Sequence, residues 1–329
     1  MRIAHQVSRF HSWIIAVLVL ATWTTSVYAQ GYPKESIRVI VPFAAGGNTD
    51  VTARIILAKV ASQLDQSIVI ENIGGAGGTI GSAAVARAKP DGYTLLYGNT
   101  STLAIAPSVY SKLSYDPQKS FVAVAMVSKA ANALFANPSL PVNSAAELVA
   151  YARANSGKMN YSSPGIGTPN QLAAELFIAK TGIKATHIPY RGGGDALSSV
   201  IAGTTQFSID TLAVIGAPHA AGQVRALAIA DSKRSPSFAS LPTMAEAGVP
   251  EVEAVSFNGL LAPAGAPSDV ISRLNTEINK ALQDQEVLAR FATLGIEPAP
   301  ASANEFQAFI AKEIAKWESV AKSAGVRLD

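Results

Sequence analysis

A short strand that runs into a glycine loop and a helix start is the feature that most constrains this chain. Residues 37–43 are apolar and rich in β-branched side chains, which predicts a buried strand. Gly46 and Gly47 permit a tight turn, and we expect a positive φ at Gly47. The loop ends in three residue types that cap helices: Asn48, Thr49 and Asp50. Such a loop presents unpaired N–H groups at the positive end of a helix dipole, where anions bind. A capped turn that binds no ligand has the same sequence pattern.

The same layout occurs again more than a hundred positions later. Residues 159–172 read MNYSSPGIGTPNQL, in which a strand leads into glycines and then into a helix. Thr168 is the predicted N-cap, and Pro169 takes the first helical position, where proline is favoured. Two helix N-termini of one design, one in each half of the chain, favour an anionic ligand held between them.

The rest of the chain alternates between strand and helix patterns. Predicted strands cover residues 68–71, 93–98, 159–162, 186–190, 206–210 and 225–230. Predicted helices cover residues 80–88, 169–181, 195–202, 267–283, 286–294 and 302–324, and the chain beyond Asn258 is expected to be mainly helical. Capping boxes are expected at Ser144 with Glu147 and at Ser302 with Glu305. This order predicts an α/β fold with a mostly parallel, doubly wound sheet and ligands at the carboxyl ends of its strands.

The first 29 residues have the three parts of a secretory signal, with cleavage expected after Ala29. Their removal takes away Arg2 and Arg9 and lowers the net charge from +3 to +1, so charge is no argument for nucleic acid. The chain has no cysteine, which excludes disulfides and thiolate chemistry. We expect an exported, soluble protein of two domains.

Motifs for catalysis, metals and cofactors are missing from the sequence. The run GGAGGTIG at 74–81 lacks dinucleotide and P-loop spacing, and we interpret it as a tight turn with close helix packing. His187 and His219 lack acidic neighbours at metal-ligand spacing, so both are expected at a surface or a sheet edge. No G-x-S-x-G motif occurs. We therefore predict no catalytic residue, no metal and no cofactor.

The chain strongly resembles the extracytoplasmic solute receptors of tripartite tricarboxylate transporters, the Bug receptors. Segments throughout the mature chain carry the resemblance: VPFAAGGNTD (41–50), VIENIGGAGGTIG (69–81), KPDGYTLLYGNTSTLAI (89–105), MNYSSPGIGTPNQLAAELF (159–177), HIPYRGGGDAL (187–197), RALAIADSKRSPSFASLPTMAEAG (225–248) and GLLAPAGAP (259–267). The family usually has prolines where this chain has Ala44 and Ala45, and often a histidine where it has Gln171.

The resemblance implies a two-lobed periplasmic binding protein of type II, a Venus flytrap with two mostly parallel sheets and a cleft between the lobes. Lobe 1 would comprise residues 30–127 and 253–329, and lobe 2 residues 128–252. Tyr190 and Arg191 are expected at the rim. The implied ligand-binding residues are Phe43, Ala45, Gly46, Gly47, Asn48, Thr49, Asp50, Asn99, Thr100, Ser101, Ser163, Gly165, Gly167, Thr168, Asn170 and Asp210.

The resemblance also implies the function, in which a monomer binds a small carboxylate in the periplasm and presents it to a membrane permease. A periplasmic sensor for the same ligand is one alternative. A hydrolase or isomerase is another, with Asp50 or Asp210 as its base. Asp50 has three possible roles: it binds a ligand ammonium group, it acts as a base, or it only stabilises the first turn of its helix.

Overall fold

The computed structural model describes residues 31–328, so the predicted signal peptide lies outside the described residues. Ten strands are described: β1 (Ile37–Val41), β2 (Ile68–Asn72), β3 (Thr94–Asn99), β4 (Phe121–Ala136), β5 (Met159–Ser163), β6 (Ala185–Pro189), β7 (Phe207–Thr211), β8 (Arg225–Ile229), β9 (Val255–Pro263) and β10 (Glu297–Pro298).

The described residues also form ten α-helices: α1 (Asn48–Leu64), α2 (Thr79–Ala86), α3 (Ala106–Val109), α4 (Ala145–Ala154), α5 (Pro169–Thr181), α6 (Gly193–Ile201), α7 (Leu212–Ala220), α8 (Ser268–Ala281), α9 (Gln285–Thr293) and α10 (Ala303–Ala324). A π-helical turn, Ser101–Ile105, leads into α3. Within the described part of the chain, no helix combines the length and the apolar character needed to cross a membrane.

The strands form two sheets that share β4. The first has the order β2-β1-β3-β9-β4, with β10 also paired to β4. The second has the order β4-β7-β5-β6, with β8 also paired to β4. Each sheet has a parallel part, β2-β1-β3 or β6-β5-β7, joined to β4 through antiparallel pairs. The sheets are thus mixed, because β9 runs against the parallel strands of the first sheet and β4 runs against those of the second.

Strand β4 is the physical link between the two sheets. Its residues 121–131 pair with β9 in the first sheet, and residues 132–136 pair with β7 and β8 in the second. The predicted lobe boundary between residues 127 and 128 therefore falls inside one continuous strand.

One hydrophobic core serves both sheets. Ile40 and Leu96 from the first sheet and Tyr161 and Phe207 from the second belong to the same cluster of buried side chains. Trp317 of α10 is 1% exposed, and its indole N–H donates to Glu313 Oε2 at 3.0 Å. Burial of large aromatic side chains on this scale supplies most of the driving force for folding.

Most predicted elements are confirmed with small shifts at their ends. The helix predicted at 169–181 has those bounds, and Ser302 with Glu305 forms the predicted capping box. At Ser144 only half of the box forms, because Glu147 accepts from the N–H of Asn143 instead. The chain beyond Asn258 is mainly helical, as expected, but β9 continues to Pro263 before the helices begin.

Candidate functional site

The loop between β1 and α1 has a conformation that differs in two ways from the prediction. Gly46 is the left-handed residue, with φ of +80°, whereas Gly47 has φ of −73° and ψ of 163°. The N-cap of α1 is Gly47 and not one of the three polar residues that follow it. Since glycine has no capping oxygen, the first turn keeps its donors free of side-chain caps.

Asp50 is buried beneath this loop, and its side chain is 1% exposed. Its Oδ2 accepts from the N–H of Gly46 at 2.8 Å and from Arg54 Nε at 2.9 Å. Its Oδ1 accepts from Asn72 Nδ2 at 2.9 Å. Burial by itself raises the pKa of the Asp50 carboxyl, but these hydrogen bonds outweigh it and hold the pKa at about 2. Both oxygens are therefore engaged within the protein.

The first turn of α1 offers a set of unused backbone donors. The first N–H that bonds back to the loop belongs to Val51, which donates to the carbonyl of Gly47 at 2.9 Å. Among the described residues, no partner exists for the N–H groups of Asn48, Thr49 and Asp50. Three adjacent donors at the positive end of a helix form a site where an anion is stabilised.

The end of β3 lies beside this turn. Asn99 Nδ2 donates to Thr49 Oγ1 at 3.2 Å, and Asn99 Oδ1 accepts from the N–H of Ser101 at 3.0 Å. Thr100 is buried, and its hydroxyl accepts from the N–H of Phe257 at 2.8 Å. Asn99 thus orders the π-helical turn beside the loop, while Thr100 fastens that turn to β9.

In the second loop the hydroxyl of Ser163 is occupied by protein partners. It accepts from the N–H of Gly165 at 3.2 Å and donates to the carbonyl of Gly165 at 3.0 Å. Its Oγ also lies 2.7 Å from Nε2 of His187, a half-buried residue on the edge strand β6. Burial lowers the pKa of His187. The expectation of an edge position for His187 is confirmed, and the hydroxyl of Ser163 shapes the loop.

The start of α5 has the predicted cap but fewer free donors than α1. Thr168 Oγ1 accepts from the N–H of Gln171 at 3.4 Å and donates to the carbonyl of Gly165 at 2.7 Å. Pro169 has no N–H, so Asn170 supplies the one first-turn N–H without a partner among the described residues. The two helix starts therefore share the predicted order of strand, glycine loop and helix. They differ in the number of free backbone N–H groups, which is larger in α1 than in α5.

Asp210 lies at the end of β7 beside this second loop. Its Oδ1 accepts from the N–H of Thr211 at 2.7 Å, and its Oδ2 lies near Gly193 at the start of α6. Burial raises the pKa of the Asp210 carboxyl. Asn170 Nδ2 donates to the carbonyl of Ile209 at 3.1 Å, which connects the start of α5 to the same strand end.

The chain matches a family of transport receptors over most of its length. The model of the tripartite tricarboxylate transporter family receptor covers residues 52–326. This chain belongs to that family. The BugT protein of Bordetella pertussis is 37% identical to this receptor over 303 residues, which are 92% of this chain and 93% of BugT.

Two solved structures from Rhodopseudomonas palustris have the fold of this receptor. Rpa4515, determined with adipate, is 36% identical, has a TM-score of 0.78 and covers 90% of this chain and 99% of its own. MatC, determined with bound malate, is 33% identical, has a TM-score of 0.73 and covers 88% of this chain and 99% of its own. The predicted type of fold, a two-lobed α/β periplasmic binding protein, is confirmed.

The predicted site residues of the receptor form two clusters. The first contains the loop from Phe43 to Asp50 with the end of β3, and the second contains the loop from Ser163 to Asn170 with Asp210. In the described part of the chain, no hydrogen bond joins one cluster to the other. In the first cluster the side chain of Arg54 is paired with Asp50.

Two further residues of these clusters were not predicted as part of the site. Asn72 donates both to Asp50 Oδ1 and to the carbonyl of Phe43, at 2.9 and 3.0 Å. Gln171, noted in the sequence only as a departure from the family, accepts from the N–H of Gly167 at 2.7 Å. The position of Gln171 three residues after its N-cap is the signal that the sequence offered.

Proposed function

We propose that this receptor binds a small organic acid in the periplasm and delivers it to the permease of a tripartite tricarboxylate transporter. The observation that carries the proposal is the start of α1. Three adjacent N–H groups there, those of Asn48, Thr49 and Asp50, have no partner within residues 31–328 and lie at the positive end of a 17-residue helix. A carboxylate satisfies such donors directly.

The balance of charges in the two clusters supports a ligand held mainly by neutral donors. A buried anion is expensive unless hydrogen bonds replace its water shell, and backbone N–H groups fulfil that need without a cation of their own. The relatives determined with adipate and malate support carboxylates as the ligand class. Asp210, a buried acceptor near the second loop, suits a hydroxyl or ammonium group on the same ligand.

The lobes of the predicted architecture supply a means of closure. We propose lobe 1 as residues 30–127 and 253–329 and lobe 2 as residues 128–252, with β4 crossing between them. Because the two clusters belong to different lobes in this division, a ligand that contacts both favours hinge closure. Small-angle scattering is expected to give a smaller radius of gyration with saturating ligand than without it.

The remaining parts of the proposal concern the mature protein. We expect cleavage after Ala29, release into the periplasm as a monomer, and no catalytic turnover of the ligand. N-terminal sequencing of protein recovered from the periplasm tests the first point, and the expected first residue is Gln30. An intact Met1 on membrane-bound protein would refute the periplasmic receptor.

The ligand itself is best identified from natively purified protein. Denaturation should release an organic acid that mass spectrometry can identify, and titration calorimetry with that acid, adipate and malate should give saturable binding. If none of these acids binds and no acid is released, the proposal fails. Deletion of the gene for this receptor should abolish transport of the labelled acid into cells that express the permease constitutively, whereas loss of a sensor would leave that transport intact.

A further inference from the structure

The helices α1 and α5 begin with the same internal hydrogen bond. In α1 the N-cap is Gly47, and the third helical residue, Asp50, accepts from the N–H of Gly46 at 2.8 Å. In α5 the N-cap is Thr168, and the third helical residue, Gln171, accepts from the N–H of Gly167 at 2.7 Å. The two side chains differ in charge but occupy equivalent positions.

The glycines before the two N-caps share a conformation. Gly46 has φ of +80° and Gly167 has φ of +75°, and such left-handed backbone is costly for any residue other than glycine. Their side-chain partners are both buried, with Asp50 1% and Gln171 4% exposed. A buried acceptor that holds a left-handed glycine fixes the direction in which the chain enters the helix.

Asp50 extends this anchoring to both ends of the first loop. Its Oδ1 accepts from Asn72, which also donates to the carbonyl of Phe43 at the loop start. Arg54 donates to Asp50 Oδ2 at 2.9 Å and to Asn72 Oδ1 at 3.1 Å. Every hydrogen bond of the Asp50 carboxylate therefore points into the protein, and the low pKa of this carboxyl, about 2, keeps it an acceptor.

We propose that Asp50 and Gln171 are positioning residues that hold the two glycine loops in their binding shape and do not contact the ligand. The proposal rests on the proposed function, since it concerns the same two loops. It assigns Asp50 a role different from an ammonium site or a catalytic base. Because Gly46 N–H is already used, the ligand carboxylate faces the N–H groups of Asn48, Thr49 and Asp50 instead.

The test compares Asp50→Leu with Gln171→Met. Leucine keeps the approximate size of aspartate without its acceptor oxygens, and methionine keeps the length of glutamine without its acceptor. Hydrogen exchange is measured by NMR for the amides of Gly46 and Gly167 in ligand-free protein. We expect Asp50→Leu to speed exchange at Gly46 only and Gln171→Met at Gly167 only, each by about tenfold for the loss of one strong hydrogen bond.

Asp269→Asn is the matched control, because Asp269 is an exposed acid in the first turn of α8. Its substitution should leave both glycine amides unchanged. If Asp50→Leu leaves exchange at Gly46 unchanged, or if Gln171→Met leaves exchange at Gly167 unchanged, the positioning role is refuted.

The test is completed by measuring the binding of malate and aspartate. The two acids share one carbon skeleton, on which malate carries a hydroxyl and aspartate an ammonium group. A positioning role predicts that Asp50→Asn weakens both acids by a similar factor. Loss of aspartate binding alone would instead make Asp50 a ligand contact and overturn the proposal. If the parent protein binds neither acid, the proposed function fails for these ligands, while the exchange measurements still decide the role of both side chains.

Discussion

Substitution of the two adjacent glycines in the first loop should have opposite consequences for stability and binding. Gly46 has φ of +80° with open space around it. The side chain added by Gly46→Ala therefore clashes with nothing, and the only cost of the substitution is the left-handed backbone conformation. That conformation costs an alanine about 1–2 kcal/mol. The smaller entropy of the unfolded alanine chain offsets about 0.4–1 kcal/mol, which leaves a net loss of about 1 kcal/mol.

Gly47 differs because its φ of −73° and ψ of 163° suit any residue. A Cβ at Gly47 would lie 3.4 Å from the carbonyl oxygen of Ala44, which is ordinary contact. Gly47→Val should therefore leave the melting temperature close to that of the parent protein, whereas Gly46→Ala should lower it by about 2 °C in a chain of this size. Scanning calorimetry distinguishes the two.

The effects on ligand affinity should be in the reverse order, with Gly47→Val the more damaging substitution. Valine at position 47 adds a branched side chain next to the free N–H groups of Asn48 and Thr49, so we expect titration calorimetry to detect no binding of the released acid. Gly46→Ala should retain weakened binding, because its side chain adds little bulk. If Gly47→Val binds the acid as tightly as the parent protein, the loop is only a turn and the reasoning is wrong.

Three further substitutions test the loops and their supports. Thr168→Val removes the side-chain cap of α5 and should weaken ligand binding by about fivefold. An unchanged affinity in titration calorimetry would contradict a role for this helix start in binding. Gly81→Ala would place a Cβ 2.4 Å from the carbonyl oxygen of Ile73. We therefore expect the free energy of unfolding, measured with denaturant, to fall by about 1–3 kcal/mol. A free energy of unfolding equal to that of the parent protein would contradict the tight packing. Because the pKa of Asp50 is about 2, below the ordinary 3.8, its stabilisation is complete above about pH 4 and is lost as the pH falls toward 2. Asp50→Asn should flatten that acid slope in urea titrations at several pH values, and an unchanged slope would argue against the buried carboxylate.

The local signals in the sequence predicted most of the parallel elements. The strands β1 and β5 are short and end in glycine loops, and α5 is bounded by Thr168, Pro169 and Gly182, so each element carries its own start or stop signal. The strands β4 and β9 were missed because their partners lie at least 71 residues away in the chain, the separation of Ala136 and Phe207. A mostly apolar run such as residues 121–136 has no period that separates a buried strand from a buried helix.

The candidate site could be predicted as loops but not as individual donors. The glycines and caps located the loops, whereas the partners of each polar atom depend on side chains from distant elements. Asn72 occupies the carboxylate of Asp50 from the end of β2, and His187 approaches Ser163 from the neighbouring edge strand. The sequence does not contain these distances, and for that reason the side chains engaged within the protein could not be told from those free to bind a ligand.

The most direct measurement of the central claim is an NMR titration of the ¹⁵N-labelled receptor with the acid that it releases. If backbone donors at the two helix starts hold the ligand carboxylates, the amide resonances of Asn48, Thr49, Asp50 and Asn170 should move most, and the amide of Gly46 should move little because Asp50 already binds it. Saturable binding with the largest changes elsewhere, and none at these four amides, would contradict the account.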